Sequence, residues 1–454
     1  MLLLLLSSLA IDSILNQPEL QHAHVGMIVL DLSRDTVIYA RNCQKSMVPA
    51  SNVKIITSAT ALSFLGPEFR YKTRLAIDGP VRSGALFGDL YVFGGGDPGF
   101  TLEDIERFVT AVRTSGIYDI KGDIVLVDDY FTDERLPVGW AWHYLDARYA
   151  AEISALSLNH NAVKVRIEAT APGEAANVFL QPGTGYVKLI SRMVTRPGSD
   201  SIIIFRRTDA NVIHVDGAIG SGRTRSIDVA VKDPAMYFGE YLKERLQAAG
   251  IRIEGDCSKS TAASAYLPGP GYEMLDSVVS GPLMGIIKEL NTESVNLYGE
   301  AIIKTLGSHF RKDGSFRAGV SIAKEFMRRC GVDTTLVVLH DGSGLSRQNL
   351  VSPYAIVLVL RGMYHSGLFQ AFYDLLPGPG EGTMQTRFNG LKGSLRAKTG
   401  TLDAISCLSG YLNINGRYYC FSMMFNNFTC SRKKIESIQE AILKTLKSLL
   451  EMEA

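Results

Sequence analysis

Three short motifs spread over most of the chain constrain it more than any other feature: Ser51-Asn52-Val53-Lys54, Ser294-Val295-Asn296 and Lys398-Thr399-Gly400. Taken singly they carry little. Ser-x-x-Lys recurs at Ser321/Lys324 and Ser431/Lys434, and Ser-x-Asn recurs at Ser157/Asn159, while Lys-Thr-Gly occurs once. Their force lies in order and setting. For the three to act together, a fold must bring residues 240 positions apart, from Lys54 to Ser294, into one place.

Ser51 has the better local chemistry among its rivals. It opens a helix expected over 51–65 and closed by Gly66-Pro67, so the positive end of the helix dipole favours an alkoxide forming on its hydroxyl. Lys54, three residues on, shares that face. To act as a base, Lys54 must be neutral part of the time, and burial plus a second cation, Lys398, would lower its pKa. Ser321 and Ser431 stand beside Arg- and Lys-rich helices and read as solvated positions. The bland reading of Ser51 is a plain helix N-cap.

Lys398-Thr399-Gly400 follows an extended segment, Leu395-Arg396-Ala397. A strand edge beside the nucleophile pairs with a peptide backbone, and Gly400 keeps that edge clear. Lys398 and Thr399 offer donors to a carboxylate; the bland reading is a turn between strands. Ser294 and Asn296 offer a proton relay and an orienting amide, or else a capping pair before the next helix. An oxyanion hole needs two backbone N–H groups, and Ser51 and Thr401 are the expected donors. The chemistry is acyl transfer at a serine with a lysine base.

Around these motifs the chain divides into three. Val25 to Leu30 and Val37 to Ala40 read as a hairpin turned at Ser33-Arg34-Asp35. From 71 to 275 the pattern changes to short β-type runs with frequent Gly and Pro, plus helices from Thr101, with Asp104 completing a capping box, and from Pro234 to Ala249. This is an inserted β-rich region, expected to form two subdomains. Residues 21–70 and 276–454 then make the acyl-transfer domain. It gains helices over 295–306, 317–329 and 353–363, and two strands around Asn415-Gly416. Ile435, Ile438, Ile442, Leu446 and Leu449 form a helical stripe that reads as sheet-packing rather than as a membrane anchor.

Residues 1–20, with the run Leu2–Leu6 and the small residues Ser7, Ser8 and Ala10, read as a shortened export signal, the alternative being a buried N-terminal helix. A net charge of +1 gives no reason to expect nucleic acid. Six cysteines without a Cys-x-x-Cys pair argue against zinc. The turn at Asn415-Gly416 pairs 420 with 411, so Cys407 and Cys420 are expected to stay unbridged.

With these residues in hand, the chain resembles class C low-molecular-mass penicillin-binding proteins, the D-alanyl-D-alanine carboxypeptidase/endopeptidase family. The likeness extends to Pro49-Ala50-Ser51, Gly95-Gly96-Asp97-Pro98, Ser154-Ala155-Leu156, Asp341-Gly342-Ser343-Gly344-Leu345-Ser346-Arg347, Gly382-Thr383 with Arg387, and Ala397 to Leu402. The resemblance implies an α+β penicilloyl-serine transpeptidase/β-lactamase-like fold, an antiparallel sheet flanked by helices, with one or two inserted domains. It implies peptidoglycan peptides ending in or cross-linked through D-alanine as substrates, β-lactams as inhibitors, no metal or organic cofactor, and export to the periplasm or cell-wall space. It puts Arg347 and Leu402 near the site. Family members often carry an acid in the segment matching Gly139-Trp140-Ala141-Trp142-His143-Tyr144, where it meets a diaminopimelate ammonium. Here Tyr144 takes that place and Tyr149 matches an aromatic further on. Asp146 or Asp403 is expected to supply the charge instead.

Three other readings compete. A class A serine β-lactamase would need Glu-x-x-x-Asn between 297 and 397, and none is there. A Ser-His-Asp hydrolase lacks its Gly-x-Ser-x-Gly elbow, and the eight histidines are scattered, His340 beside Asp341 being the nearest candidate. A penicillin-binding sensor or structural protein without turnover would not need both lysines. Gly220-Ser221-Gly222-Arg223-Thr224 lacks the lysine of a P-loop and reads as a turn.

Overall fold

The computed structural model describes residues 2–260 and 267–452, with the side chains of 2–8 outside the described set. The chain forms two compact units. One comprises Met1–Phe69, Pro137–Trp140 and Pro282–Ala454; the other comprises Arg70–Leu136 and Ala141–Gly281.

The first unit is built on an antiparallel sheet of β1 (His24–Asp31), β2 (Thr36–Arg41), β3 (Leu395–Leu402), β4 (Ile405–Ile414) and β5 (Arg417–Asn426), in the order β3-β4-β5-β1-β2. Asn415-Gly416 makes the tight turn that sets the β4–β5 register, with Tyr411 opposite Cys420. Side chains alternate across the pleat. Leu408, Leu412, Tyr419, Phe421 and Met423 join an apolar cluster with Ile435, Ile438, Ile442 and Leu446 of the C-terminal helix Arg432–Glu451, so that stripe packs on the sheet. The opposite parity carries Ser409, Tyr411, Cys420 and Ser422. The Tyr411 hydroxyl donates to the Leu360 carbonyl of helix Pro353–Tyr364 at 2.7 Å. All six cysteines are free thiols.

Helix Val53–Phe64 is buried along almost its whole length, from Val53 to Leu62. Helices Leu283–Thr292, Asn296–Arg311, Phe316–Arg329 and Pro353–Tyr364 all pack against it. A helix buried all round must lack a charged face. This one carries a single charged residue, Lys54.

The N-terminal segment, expected over 1–20 as an export signal or else a buried helix, is packed on the domain. It forms helix Leu2–Leu15, and Ile11, Leu15 and Leu20 lie in the same apolar cluster as the C-terminal helix. Tyr39 donates to the Asp12 carboxylate at 2.7 Å. The leucine run and the two serines after it fall where side chains are outside the described set.

The second unit holds a five-stranded sheet, in the order Cys257–Lys259, Ile124–Val127, Leu90–Phe93, Lys72–Ile77 and Glu273–Val279, and two three-stranded sheets built on Ala162–Glu168 and Val212–Gly220. Helix Leu102–Thr114 starts with the Thr101/Asp104 capping box. One apolar cluster, from Leu75 to Val278, runs through it, so the two expected subdomains are a single compact unit. Its far boundary lies at 281 rather than 275 because Glu273–Val279 pairs with Lys72–Ile77.

Candidate active site

Ser51 lies in a 3₁₀ turn, Ala50–Asn52, that runs directly into helix Val53–Phe64. It caps nothing, since neither element has a side-chain cap. The turn is held in an unusual shape, with Ala50 at φ 45°. Two glycines make room for it. A Cβ on Gly344 would fall 1.9 Å from the Ala50 carbonyl oxygen, and one on Gly400 would fall 2.9 Å from the Pro49 oxygen and 3.0 Å from the Ser51 nitrogen. The glycine in Lys-Thr-Gly therefore clears space for the nucleophile's own turn, a tighter demand than the open substrate edge expected of it. β3 is the edge strand of the sheet.

Lys54 is fully buried. Its ammonium donates to Ser51 Oγ at 3.0 Å, Asn296 Oδ1 at 2.6 Å and the Ser343 carbonyl at 2.8 Å. Three acceptors for three protons suit the charged form. Burial opposes it and pushes the Lys54 pKa down to about 7, against the charges of Glu300 and Asp341, which pull it up. Lys398, also fully buried, donates to Ser294 Oγ at 2.9 Å and to the Thr399 carbonyl at 3.0 Å. Burial holds its pKa well below the usual lysine range, and repulsion from Lys54 adds to that. Of the two expected causes of the Lys54 shift, burial is the one that acts there. Desolvation does the work, and the like-charge repulsion is felt at Lys398.

Ser294 has φ 59°, and the residue that caps helix Asn296–Arg311 is Val295, without a side-chain bond. Ser294 and Asn296 are therefore not a capping pair; each meets a lysine. Thr399 Oγ1 donates to Thr383 Oγ1 at 2.8 Å. Thr401 is exposed on β3, opposite Ser406, and follows Gly400, which faces the Ser51 nitrogen. Leu402 ends β3, half-buried. Arg347 donates to the Asp403 carbonyl at 3.1 Å, and both residues are exposed. Tyr144 and Tyr149 belong to the other unit, where their rings meet edge to face at 5.7 Å; Asp146 is there too, half-buried.

Sequence reasoning missed the supports. Glu300 is fully buried and accepts from the Gly342 and Ser343 N–H groups at 2.8 and 2.9 Å. It thereby fixes the loop whose Ser343 carbonyl holds Lys54. Burial, with the Asp341 charge beside it, pushes the Glu300 pKa up to about 8. Its signal was in the sequence, because a carboxylate four residues after Asn296 shares that residue's helix face. Asp341 accepts from the Gly344 and Ser346 N–H groups at 2.9 and 2.6 Å and from Trp140 Nε1 at 3.0 Å. Asn52 donates to Ser409 Oγ at 2.5 Å, which reaches Ser422 Oγ at 2.8 Å, tying the nucleophile's turn to the sheet. No group of three His, Cys, Asp or Glu converges as metal ligands would among the described residues.

The D-Ala-D-Ala carboxypeptidase 3 (S13) family matches residues 7–449. A D-alanyl-D-alanine carboxypeptidase of Actinomadura sp. (strain R39) is 32% identical over 420 residues, covering 88% of this chain and 77% of that protein. The crystal structure of penicillin-binding protein 4 from Haemophilus influenzae superposes with a TM-score of 0.85 at 22% identity, covering 96% of this chain and 99% of that one. The same protein complexed with a β-lactam superposes at 0.79, with the same identity and coverage. The penicilloyl-serine fold is therefore shared.

Proposed function

The chain belongs to the D-Ala-D-Ala carboxypeptidase 3 (S13) family, and we propose that it carries out serine-type D-alanyl-D-alanine peptidase chemistry through an acyl-enzyme on Ser51. One observation carries the assignment of the nucleophile: a fully buried lysine with a pKa near 7 stands 3.0 Å from the Ser51 hydroxyl. Loss of a proton from Lys54 reverses that hydrogen bond, so the hydroxyl donates to the amine and the oxygen is ready to attack.

In the reaction proposed, Ser51 Oγ bonds to the carbonyl carbon of the penultimate D-alanine and its proton passes to Lys54 Nζ. The oxyanion sits between the N–H groups of Ser51 and Thr401. The C–N bond then breaks, and the departing amine takes, through Ser294, the proton that Lys54 received, which leaves Lys54 neutral for the second half. Water attacks the ester, Lys54 takes the proton from that water, and Ser51 leaves with it restored. Thr399 and Lys398 receive the substrate carboxylate. That anion favours a proton on Lys398, whose charge then disfavours one on Lys54, so binding prepares the base. Cutting a D-alanyl cross-link follows the same steps with a larger leaving group.

Peptidoglycan stem peptides are the substrate class proposed, with β-lactams as acylating inhibitors and the periplasm or cell-wall space as the place of action. No helix among the described residues is long and apolar enough to cross a membrane. For a side-chain amine on the substrate, Asp403 is the favoured carboxylate of the two expected. It is exposed one residue past the end of β3, whereas Asp146 already acts on the Arg206 guanidinium.

The test is labelling with a fluorescent penicillin, read by intact mass on the native chain and on Ser51→Ala, followed by D-alanine release from a pentapeptide. A one-to-one adduct that vanishes in Ser51→Ala, together with D-alanine release, is expected. An adduct that survives in Ser51→Ala removes the nucleophile assignment. Labelling without D-alanine release would make the chain a sensor instead of a peptidase.

A further inference from the structure

The second unit contains a pocket of about 470 Å³ formed wholly from its own residues, within the usual size range of small-ligand sites. Its walls are aromatic. Trp142 is 77% exposed, a large value for an indole, and stands edge to face with His143, ring centroids 5.7 Å apart. Phe205, 43% exposed, lines the same pocket and stacks nearly parallel on His214, with centroids 4.9 Å apart and planes 7° apart. An isolated exposed apolar side chain needs no explanation, but two flat rings lining one pocket do.

The polar groups are of a different kind. Arg206 also lines the pocket and is 6% exposed. Its guanidinium donates to the carbonyls of Arg207 and Leu145 at 2.8 Å each, while its Nε, buried, has no hydrogen-bond partner. Asp146 and Thr208 add acceptor and hydroxyl groups at the same pocket. The site does not call for an anion. Burial lowers the Arg206 pKa, Glu152 and Asp146 offset its charge, and Arg207 pairs with Asp209 through two hydrogen bonds of 3.0 and 2.8 Å.

Flat aromatic faces beside a mixed set of donors and acceptors, with little net charge, match a neutral polyhydroxylated ring. A pyranose presents a face of C–H groups that stacks on an aromatic ring and an edge of hydroxyls that must be hydrogen-bonded. We propose that this pocket binds an N-acetylhexosamine unit of a glycan strand, giving the chain a grip on the polysaccharide of its substrate as well as on the peptide. The proposal deepens the peptidoglycan reading above and rests on it for the identity of the polymer.

The experiment uses tetra-N-acetylchitotetraose, which carries no peptide and no D-alanine. The native chain and Ser51→Ala are titrated with it, following intrinsic fluorescence, to which Trp140 and Trp142 contribute as the two tryptophans of the sequence. Calorimetry supplies the same isotherm for variants that lack the reporter. A saturable change of equal affinity in both proteins is expected, with affinity falling at least ~10-fold in Trp142→Ala and in Phe205→Ala, each checked for folding by its melting temperature. Absence of saturable binding overturns the site, as does undiminished affinity in both folded variants. Saccharide binding by a native chain that penicillin does not label would keep this site while the acyl-transfer reading falls. Labelling without saccharide binding does the reverse.

Discussion

The buried base makes a quantitative claim about pH. Acylation by penicillin requires neutral Lys54, whose pKa lies near 7 instead of the ordinary 10.5. The neutral fraction is then ~1% at pH 5 and ~90% at pH 8, so the second-order acylation rate constant should rise ~90-fold across that range and level off above it. An ordinary lysine would give no plateau, and the rate would keep rising about tenfold per unit through pH 9. The assay is the rate of adduct formation by mass at each pH, corrected for hydrolysis of the free penicillin. A rate that is flat between pH 5 and 8, or that climbs without a plateau to pH 9, refutes the idea that burial tunes this base. The same shift affects stability. Lys54 has its folded pKa depressed, so between about 7 and 10.5 the unfolded chain holds a proton the folded chain has released, and its contribution grows more favourable as pH rises through that window.

Other expectations follow from the packing. Gly400→Ala puts a methyl group 2.9 Å from the Pro49 oxygen and 3.0 Å from the Ser51 nitrogen, and should slow penicillin acylation by ~10–100-fold through displacement of the nucleophile; unchanged acylation would mean the turn yields freely. Deleting residues 1–20 removes Ile11, Leu15 and Leu20 from the core, each at most 4% exposed, and should cost roughly 5 kcal/mol or more by chemical denaturation relative to deleting 1–10. Equal stability of the two deletions would show that the segment contributes nothing to the domain. Asp403→Asn should raise KM selectively for substrates with a free side-chain amine, and an equal effect on amine-free peptides would remove Asp403 from that role.

Much of the site was legible because its chemistry is local. A serine at a helix start with a lysine three residues on needs no knowledge of the rest of the chain, and Lys398 to Gly400 announces an edge strand next to a close approach. The hairpin signal at Asn415-Gly416 fixed the register that keeps Cys407 and Cys420 apart. The supports were harder to see because they are tertiary. Glu300 matters through two backbone N–H groups some 40 residues away, and Trp140 through a carboxylate on a distant loop. The packing of the N-terminal segment was hidden for a similar reason. A short leucine-rich run reads the same whether it is cut off or folded against a partner helix, and the partner, Arg432–Glu451, is at the other end of the chain. The boundary expected at 275 cuts through Glu273–Val279, whose pairing strand, Lys72–Ile77, lies about 200 residues earlier.

The short excursion Pro137–Trp140 limits how the catalytic unit can be reduced in size. These four residues count with the first unit, although the segments on either side of them count with the second. The backbone thus changes unit four times, not the two times a simple insertion requires. A minimal enzyme made by joining 69 to 282 would keep every motif residue and still lose the indole that binds Asp341 and the Val138 carbonyl that accepts from Ser346 at 2.8 Å. Grafting the loop 341–347 into such a miniature would require a replacement donor for Asp341, and a designer should build that in before choosing a linker.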